Sequence, residues 1–304
     1  MRSTNFKEQS TCPICNEGIS KEKGLFRDML YGHKGEWKIL KCSNCLHESI
    51  SPFPSNEFLE SLYKVNNYYS FGTSRLNAIS KFIRKRTRRL VPKDLKNKRF
   101  LDYGCGDGEV LLIAKNRGAD VFGLEFGDAV NVLKSNTGLD IRDNPPTSWY
   151  GSMDYVRSFH SYEHIVDPLE VLELFKDLIS PKSGVILIGV PHVDSFTANL
   201  FGKFYFYRGA PLHLHGYSVK SITYLAKSLG LEVLSVKTPG GFRGVLGSIN
   251  ILLQQLFTGK SREPSTLSLL AMFPIYLLLF PLVKVTNLFL KGDVLEITLK
   301  RADV

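Results

Sequence analysis

With 304 residues and 43% hydrophobic content, the chain is long enough for one full catalytic domain and one small module. Its net charge of +10 points to an anionic partner, whether nucleic acid, a membrane surface or a phosphorylated substrate. Four of the five cysteines fall in two Cys-x-x-Cys pairs, which excludes a secretory disulfide framework; residues 1–9 are polar and carry no apolar signal core, so a cytoplasmic protein is expected.

In chain order, Cys12-Pro13-Ile14-Cys15 and Cys42-Ser43-Asn44-Cys45 come first, separated by a polar stretch containing Trp37. Each knuckle turns two thiolates toward one ion, and four thiolates close a tetrahedral shell. Cys12, Cys15, Cys42 and Cys45 are therefore expected to hold Zn2+ in a ribbon. A closed shell leaves no position for catalytic water, so the metal is structural, and His47 stays outside it. Ser51-Pro52-Phe53-Pro54-Ser55 reads as a linker, followed by a short helix near 56–63 and by Tyr68-Tyr69. Residues 81–99 are dense in Lys and Arg, with Asp94 as their one acid. Ile79, Phe82, Ile83 and Leu90 predict a helix there with its charged face outward: a solvated face, or a contact for anionic lipid or RNA phosphate. The expected division is a zinc ribbon at 1–55, a linker and basic helix at 56–95, and a catalytic domain at 96–304.

Arg99-Phe100-Leu101 reads as a buried strand and 110–114 as the apolar face of a helix. Between them lies Asp102-Tyr103-Gly104-Cys105-Gly106-Asp107-Gly108-Glu109. A strand feeding a Gly-rich turn that opens a helix is the layout of a nucleotide-cofactor site in a doubly wound sheet. Asp102, Asp107 and Glu109 make the loop acidic, which disfavours a pyrophosphate and favours a ligand with a cationic end. These residues resemble the first motif of class I S-adenosylmethionine-dependent methyltransferases, Leu-Asp-x-Gly-Cys-Gly-x-Gly. The resemblance implies an α/β fold with a Rossmann-like doubly wound sheet of seven strands, the seventh antiparallel, and S-adenosyl-L-methionine as cofactor. The ribbon, Pro-x-Pro linker and Tyr-rich helix resemble the N-terminal part of a bacterial methyltransferase group associated with surface-glycan and secondary-metabolite pathways.

Further matches follow in order. Residues 119–125 predict the second strand, ending at Glu125, which is placed to accept both ribose hydroxyl protons. A helix at 128–135 and a third strand at 139–141 come next. Asn144-Pro145-Pro146-Thr147 reads as a loop, because it precedes the fourth strand, 153–159, rather than following it. His160-Ser161-Tyr162-Glu163-His164-Ile165-Val166-Asp167-Pro168 resembles the family's His-x-Leu-Glu-His-x-x-Asp-Pro, which borders the methionine end of the cofactor. The implied cofactor set is Asp102, Gly104, Cys105, Gly106, Gly108, Glu125, Phe126, Phe159, His160 and Ser161. Asp167 is expected to cap a helix at 169–179 with Pro168 in its first turn. The fifth strand is 185–190, and Pro191-His192-Val193-Asp194-Ser195 matches Pro-Asn-x-x-Ser. An aromatic stretch at 196–207 reads as core packing or as a substrate wall. Pro211-Leu212-His213-Leu214-His215-Gly216-Tyr217-Ser218 resembles Pro-x-His-Leu-x-x-(Phe/Tyr)-Ser, with Ser218 capping a helix at 219–229. The sixth and seventh strands are 231–237 and 294–300.

An apolar helical insertion at 239–292 separates those last strands. It carries no charge from 264 to 283, but Pro274 and Pro281 interrupt it, and a span would strand the seventh strand across a bilayer. Two or three helices are expected, packed on the domain or dipping into a membrane surface.

A hydroxyl acceptor needs its proton removed, and His is the usual base near neutral pH. His160, His164, His192, His213 and His215 are the candidates, His213 first and His160 second. The reading is a methyltransferase acting on a hydroxyl of a small-molecule, glycan or lipid-linked acceptor, cytoplasmic or peripheral at the inner membrane face. An rRNA base methyltransferase and a non-catalytic cofactor-binding module stay open beside it.

Overall fold

The computed structural model describes residues 11–62, 91–127 and 129–302. Tyr68-Tyr69, residues 81–90 of the basic run and Asp128 lie outside the described residues. Three antiparallel strands come first, β1 (Ile19–Phe26), β2 (Trp37–Cys42) and β3 (Glu48–Ser51), then helix α1 (Asn56–Leu62). The larger sheet opens with β4 (Arg99–Tyr103), α2 (Glu109–Asn116), β5 (Asp120–Leu124), α3 (Ala129–Thr137) and β6 (Asp140–Arg142). The chain continues through β7 (Tyr155–Phe159), α4 (Pro168–Leu178), β8 (Val185–Pro191), α5 (Phe196–Phe201) and the short β9 (His215–Gly216). Helix α6 (Val219–Ser228), β10 (Leu231–Lys237), three insertion helices and β11 (Val294–Arg301) complete it.

Seven of the described strands form one sheet in the order β10-β11-β8-β7-β4-β5-β6. The chain starts at β4, steps outward to β5 and β6, then returns to β7 and β8 on the other side. All five run parallel; β11 lies antiparallel between β8 and β10. The direction of winding reverses between β4 and β7, and a ligand crevice opens at such a switch point, beyond the carboxyl ends of the strands. Two apolar layers cover the sheet. Leu111, Ala114 and Leu133 pack in one with Phe100 and Ile141; Leu172, Phe175, Ile222 and Leu225 pack in the other with Leu101 and Ile188. Caps fix where two of these helices start. Asp167 accepts from Glu170 N–H with Pro168 in the first turn, and Ser218 and Ser221 form a reciprocal capping box. Asn144-Pro145-Pro146 stays a loop, followed by a single 3-10 turn at Thr147–Trp149 that buries Trp149.

The ribbon does not hang free. β9, which follows β8 in the chain, adds to the edge of β3 as the fourth strand of the ribbon sheet, with Glu48 opposite Gly216 and Ser49 opposite His215. Glu48 is 1% exposed, and it receives Lys23 at 2.6 Å and Arg208 at 2.5 Å. Arg208 reaches Glu48 from outside the ribbon, so separating the two sheets would cost a buried ion pair.

The insertion contains α7 (Phe242–Thr258), α8 (Thr266–Ala271) and α9 (Phe273–Leu288). α7 docks closely through small residues: a side chain at Gly247 would run into the Phe206 ring, and Ser248 Oγ accepts from Phe206 N at 3.0 Å. α9 buries only Val283 among its described side chains. Among the described residues, no helix is long and apolar enough to cross a membrane.

Candidate active site

At the end of β4 the chain turns sharply, with Gly104, Gly106 and Gly108 at φ 70°, 56° and 74°. These are left-handed values that favour glycine. A Cβ on Gly104 would collide with the Ser161 side chain, whereas a Cβ on Gly106 would meet nothing within 4 Å. The backbone at Gly106 therefore borders open space. Glu125 closes the other side: its Oε2 accepts from Gly106 N at 2.8 Å and its Oε1 from Phe126 N at 3.1 Å. Burial pushes the Glu125 carboxyl up to about 6, against the pull of those two N–H groups. Each oxygen keeps a lone pair for a further donor. Phe126, 51% exposed, stands beside it, edge-on to Tyr103.

Asp102 has a different place from that suggested by an acidic loop. It is 1% exposed, and Arg157 on β7 donates to its Oδ1 at 2.6 Å. Burial raises its carboxyl, while the Arg157 guanidinium opposes that shift. The pair ties the loop to β7 and cancels one of the loop's negative charges. Cys105 is buried beneath the loop, its Sγ close to Gly123, so only its backbone faces the crevice. Asp107 is exposed and caps the turn into α2 by accepting from Glu109 N.

Across the crevice, β7 ends at Phe159, and His160 takes a left-handed φ of 54°. For a non-glycine residue that conformation is strained, and such strain concentrates at functional sites. Ser161 Oγ donates to Gly104 O at 3.3 Å, which joins this segment to the glycine loop. A 3-10 turn, Tyr162–His164, then drives Glu163 inward until it is fully buried. Its Oε1 lies 3.3 Å from His160 Nδ1 and 3.9 Å from Nε2 of both His164 and His213. Its Oε2 has no hydrogen-bond partner among the described residues. Burial pushes Glu163 up, but the His160 hydrogen bond and the neighbouring imidazoles outweigh it and hold the carboxyl at about 2. Burial, with His164 alongside, drops His213 to about 3, and burial lowers His164 as well. At neutral pH the cluster is thus an ionised carboxylate among imidazoles of which these two are uncharged. The ring of Tyr207 stacks on His160 at 5.7 Å.

A family model described as "Methyltransferase domain" matches residues 76–236, just over half of the chain. The chain belongs to this family. Curated relatives share its central part. A "Ubiquinone biosynthesis O-methyltransferase" of Acinetobacter baylyi is 27% identical over 135 residues, covering 40% of this chain and 57% of that protein. The protein of the same name from Bordetella avium is 27% identical over 166 residues, covering 50% and 66%. The chain thus spans between half and two thirds of the length of these relatives. Among solved structures, an S-adenosylmethionine-dependent methyltransferase from Archaeoglobus fulgidus aligns with a TM-score of 0.47 at 18% identity, covering 81% of this chain and all of that one. A phosphoethanolamine N-methyltransferase 2 from Haemonchus contortus, in complex with S-adenosyl-L-methionine, aligns at 0.48 and 18%, covering 88% and 64%.

The residues of this methyltransferase-family chain fit S-adenosylmethionine as a cofactor. The open space over Gly106 admits a ligand against the backbone, and the Glu125 carboxylate beside it can take two hydroxyl donors. When bound, the cofactor supplies a methyl group already activated by a sulfonium.

In the ribbon of this methyltransferase, Cys12 Sγ lies 3.5 Å from Cys45 Sγ, and Cys15 Sγ 3.5 Å from Cys42 Sγ. All four lie within 4.8 Å of one another. Zn–S bonds of about 2.3 Å in a tetrahedron place sulfurs roughly 3.8 Å apart, so the tetrad suits structural zinc. The two knuckles are copies of one turn: Asn16 N bonds Cys12 O and Leu46 N bonds Cys42 O, with Asn16 and Leu46 at φ 58° and 62°.

Of the five candidate histidines, the structure brings His160, His164 and His213 together. His192 instead bonds Gly292 O through Nδ1, and His215 bonds His47 Nε2 at 2.9 Å; both are buried. That contact also engages His47 away from the cysteines. Sequence reasoning assigned no role to Glu163, Arg157 or Tyr207. The available signal was a Glu with His at i−3 and i+1. What makes it a hub is burial by residues 207–214, which no local pattern shows.

Proposed function

We propose that this methyltransferase transfers the methyl group to a hydroxyl oxygen of a small-molecule acceptor. The observation that carries the reading is the fully buried Glu163 with its Oε1 3.3 Å from His160 Nδ1, joined through Ser161 to the glycine loop. An acceptor in the crevice meets the half-buried His160 ring, which is oriented by Glu163 and by the Tyr207 stack. His160 takes the hydroxyl proton as the oxygen attacks, and Glu163 stabilises the imidazolium. His213, more deeply set, flanks the carboxylate. The relatives' names, which specify O-methylation, support oxygen as the acceptor atom. On this reading Asp102, Gly104, Cys105, Gly106, Gly108, Glu125, Phe126, Phe159, His160 and Ser161 form the cofactor side, and the ribbon, 56–95 segment and catalytic domain act as one unit.

The RNA reading draws little support from the ribbon, because three of its cations are engaged: Lys23 on Glu48, Lys38 on Glu22 and Arg27 on Glu36. A lipid-linked acceptor is favoured by one observation. Phe257, Leu267, Leu278, Leu288 and Phe289 are 73–83% exposed, with Lys260, Arg262 and Lys284 exposed on the same segment. Leu278, Leu282, Val285 and Phe289 share one helical face. Such a surface suits an anionic bilayer, into which apolar side chains dip while cations meet headgroups.

Methyl-labelled cofactor offered with panels of hydroxylated small molecules, lipid-linked sugars and ribosomal RNA tests the reading. The expected product is a methyl ether located by NMR. Label appearing only on nitrogen, carbon or RNA would overturn it.

A further inference from the structure

Phe206, Tyr207 and Arg208 form a single 3-10 turn whose three side chains meet three different partners. Phe206 meets the insertion: its N–H donates to Ser248 Oγ at 3.0 Å, and its ring fills the place a side chain on Gly247 would need. Arg208 meets the ribbon: its guanidinium pairs with Glu48 Oε2 at 2.5 Å and lies over the Phe26 ring at 5.4 Å. Tyr207, between them, meets the crevice. Its ring stacks on His160 at 5.7 Å with 18° between the planes, and its carbonyl accepts from His213 Nδ1 at 3.0 Å. A 3-10 helix has three residues per turn, so neighbouring side chains diverge by about 120°. Anchoring the first and the third therefore sets the direction of the second.

The two ends of this linkage differ in stiffness. The turn is short, and Tyr207 sits at φ −89°, ψ 16°, off helical values. Glu48, by contrast, lies on β3, which is paired on both edges, by β2 and by β9. Lys23 holds its Oε1 at 2.6 Å, and Oε2 is the oxygen that faces Arg208. The Glu48 side chain is 2% exposed and that of Arg208 9%, so water cannot replace either partner. A cavity of about 20 Å3, room for one water, is lined by Glu48, Arg208, Tyr207 and His213. With so little slack, a displacement of Arg208 passes to Tyr207 rather than being absorbed.

We propose that Glu48 of the ribbon is a positioning residue of the active site: through Arg208 it fixes the Tyr207 ring against His160. On the O-methylation reading above, on which the catalytic part of this rests, the aim of the His160 ring decides how well it meets the hydroxyl proton. That ring is held at one edge by Glu163 and is 31% exposed. A single hydrogen bond leaves rotation about its own axis, and the Tyr207 stack removes that freedom. Without the stack the base is chemically intact but less often in line, so kcat falls and cofactor binding does not. The ribbon is thus a part of the acceptor half, acting from behind the crevice wall.

The test uses the zinc-loaded full-length protein, and its first readout needs no acceptor. The His160 imidazole signal in NMR, identified by its loss in His160→Gln, senses the ring current of Tyr207. Tyr207→Leu, Arg208→Gln and Glu48→Gln should all move that signal in the same direction, with zinc content kept and cofactor affinity within about threefold of wild type. Arg208→Gln lies outside the ribbon and carries the test if Glu48→Gln loses zinc. The second readout is turnover. Glu48→Gln should lower kcat about tenfold or more in the wild-type background but less than about twofold in the Tyr207→Leu background, because residues that act through one another are not additive. Glu48→Asp, which keeps the charge, should recover part of the loss. A ribbon that only stabilises the fold would give equal factors in both backgrounds. Equal factors, or an unmoved His160 signal in zinc-retaining Glu48→Gln and Arg208→Gln, would overturn the proposal. Failure to methylate any hydroxyl would overturn the O-methylation reading instead, and the NMR readout would still decide the positioning.

Discussion

On the cofactor side of the crevice, Glu125 reaches back only 19 residues to hold Gly106. On the acceptor side, His164 is fixed by a carbonyl 48 residues downstream, and Arg208 joins Glu48 from 160 residues away. The first half is built by two adjacent strand–turn units of one sheet. The second is assembled from the β7 end, the 202–216 segment, the ribbon edge and α7. The cofactor half should therefore stand alone, whereas the acceptor half depends on parts that can be removed separately.

Removing the ribbon's metal breaks that comparison most strongly. Structural zinc carries on the order of 10 kcal/mol of apparent binding energy in small modules. Chelation or Cys42→Ser should unfold the ribbon, release β3 from β9 and abolish turnover, while cofactor affinity stays within about threefold of wild type, the spread of context effects. Zinc analysis with parallel cofactor calorimetry checks this. A large loss of cofactor affinity would show that the halves are not independent.

Glu163→Gln should lower kcat by about 10²- to 10⁴-fold with unchanged cofactor affinity, because it removes the charge that orients and stabilises the base. Single-turnover kinetics separates this from a binding defect.

The legibility of the sequence follows the same division. Strands β4, β5, β7 and β8 stand out because buried parallel strands are apolar runs bounded by turn residues, β10 and β11 because apolar residues recur between turn signals, and Asp167 and Ser218 mark helix starts by local chemistry. The glycine loop and Glu125 were readable because their spacing reflects adjacent strands. Arg157 reads as an ordinary strand residue, since its partner Asp102 sits 55 residues earlier, on the neighbouring strand β4. β9 is two residues long and has no pattern of its own; it is a strand only because β3 is there to pair with it. The apolarity of 264–283 was plain, but only the fold shows that α7 buries its small residues while α9 leaves its leucines outside.

A smaller effect concerns pH. Burial raises Glu125 to about 6 in the free protein, and only the ionised carboxylate accepts from two hydroxyls at once. The cofactor-bound state thus favours ionisation. Affinity should be constant above about pH 6 and fall by up to tenfold per pH unit below it. Calorimetry from pH 5 to 8 checks the direction; rising affinity on acidification would contradict it.

The smallest effect on the folded protein is expected at the insertion. Leu278→Ser with Leu288→Ser should change stability by no more than about 0.5 kcal/mol per site, since both side chains are over 80% exposed. The same variant should lose flotation with anionic vesicles. Equal flotation of variant and wild type would remove the lipid-surface reading and leave the cofactor half untouched.

The central claim is that the loop at Gly104–Gly108 and the Glu125 carboxylate together bind S-adenosylmethionine. Calorimetric titration of the cofactor into wild type, Glu125→Ala and Gly106→Val tests it most directly. Loss of two hydrogen bonds to a charged acceptor predicts an affinity drop of roughly 10²-fold or more for Glu125→Ala. Gly106→Val, whose side chain would fill the open space over the loop, should abolish binding. Wild-type affinity in both folded variants would contradict the account.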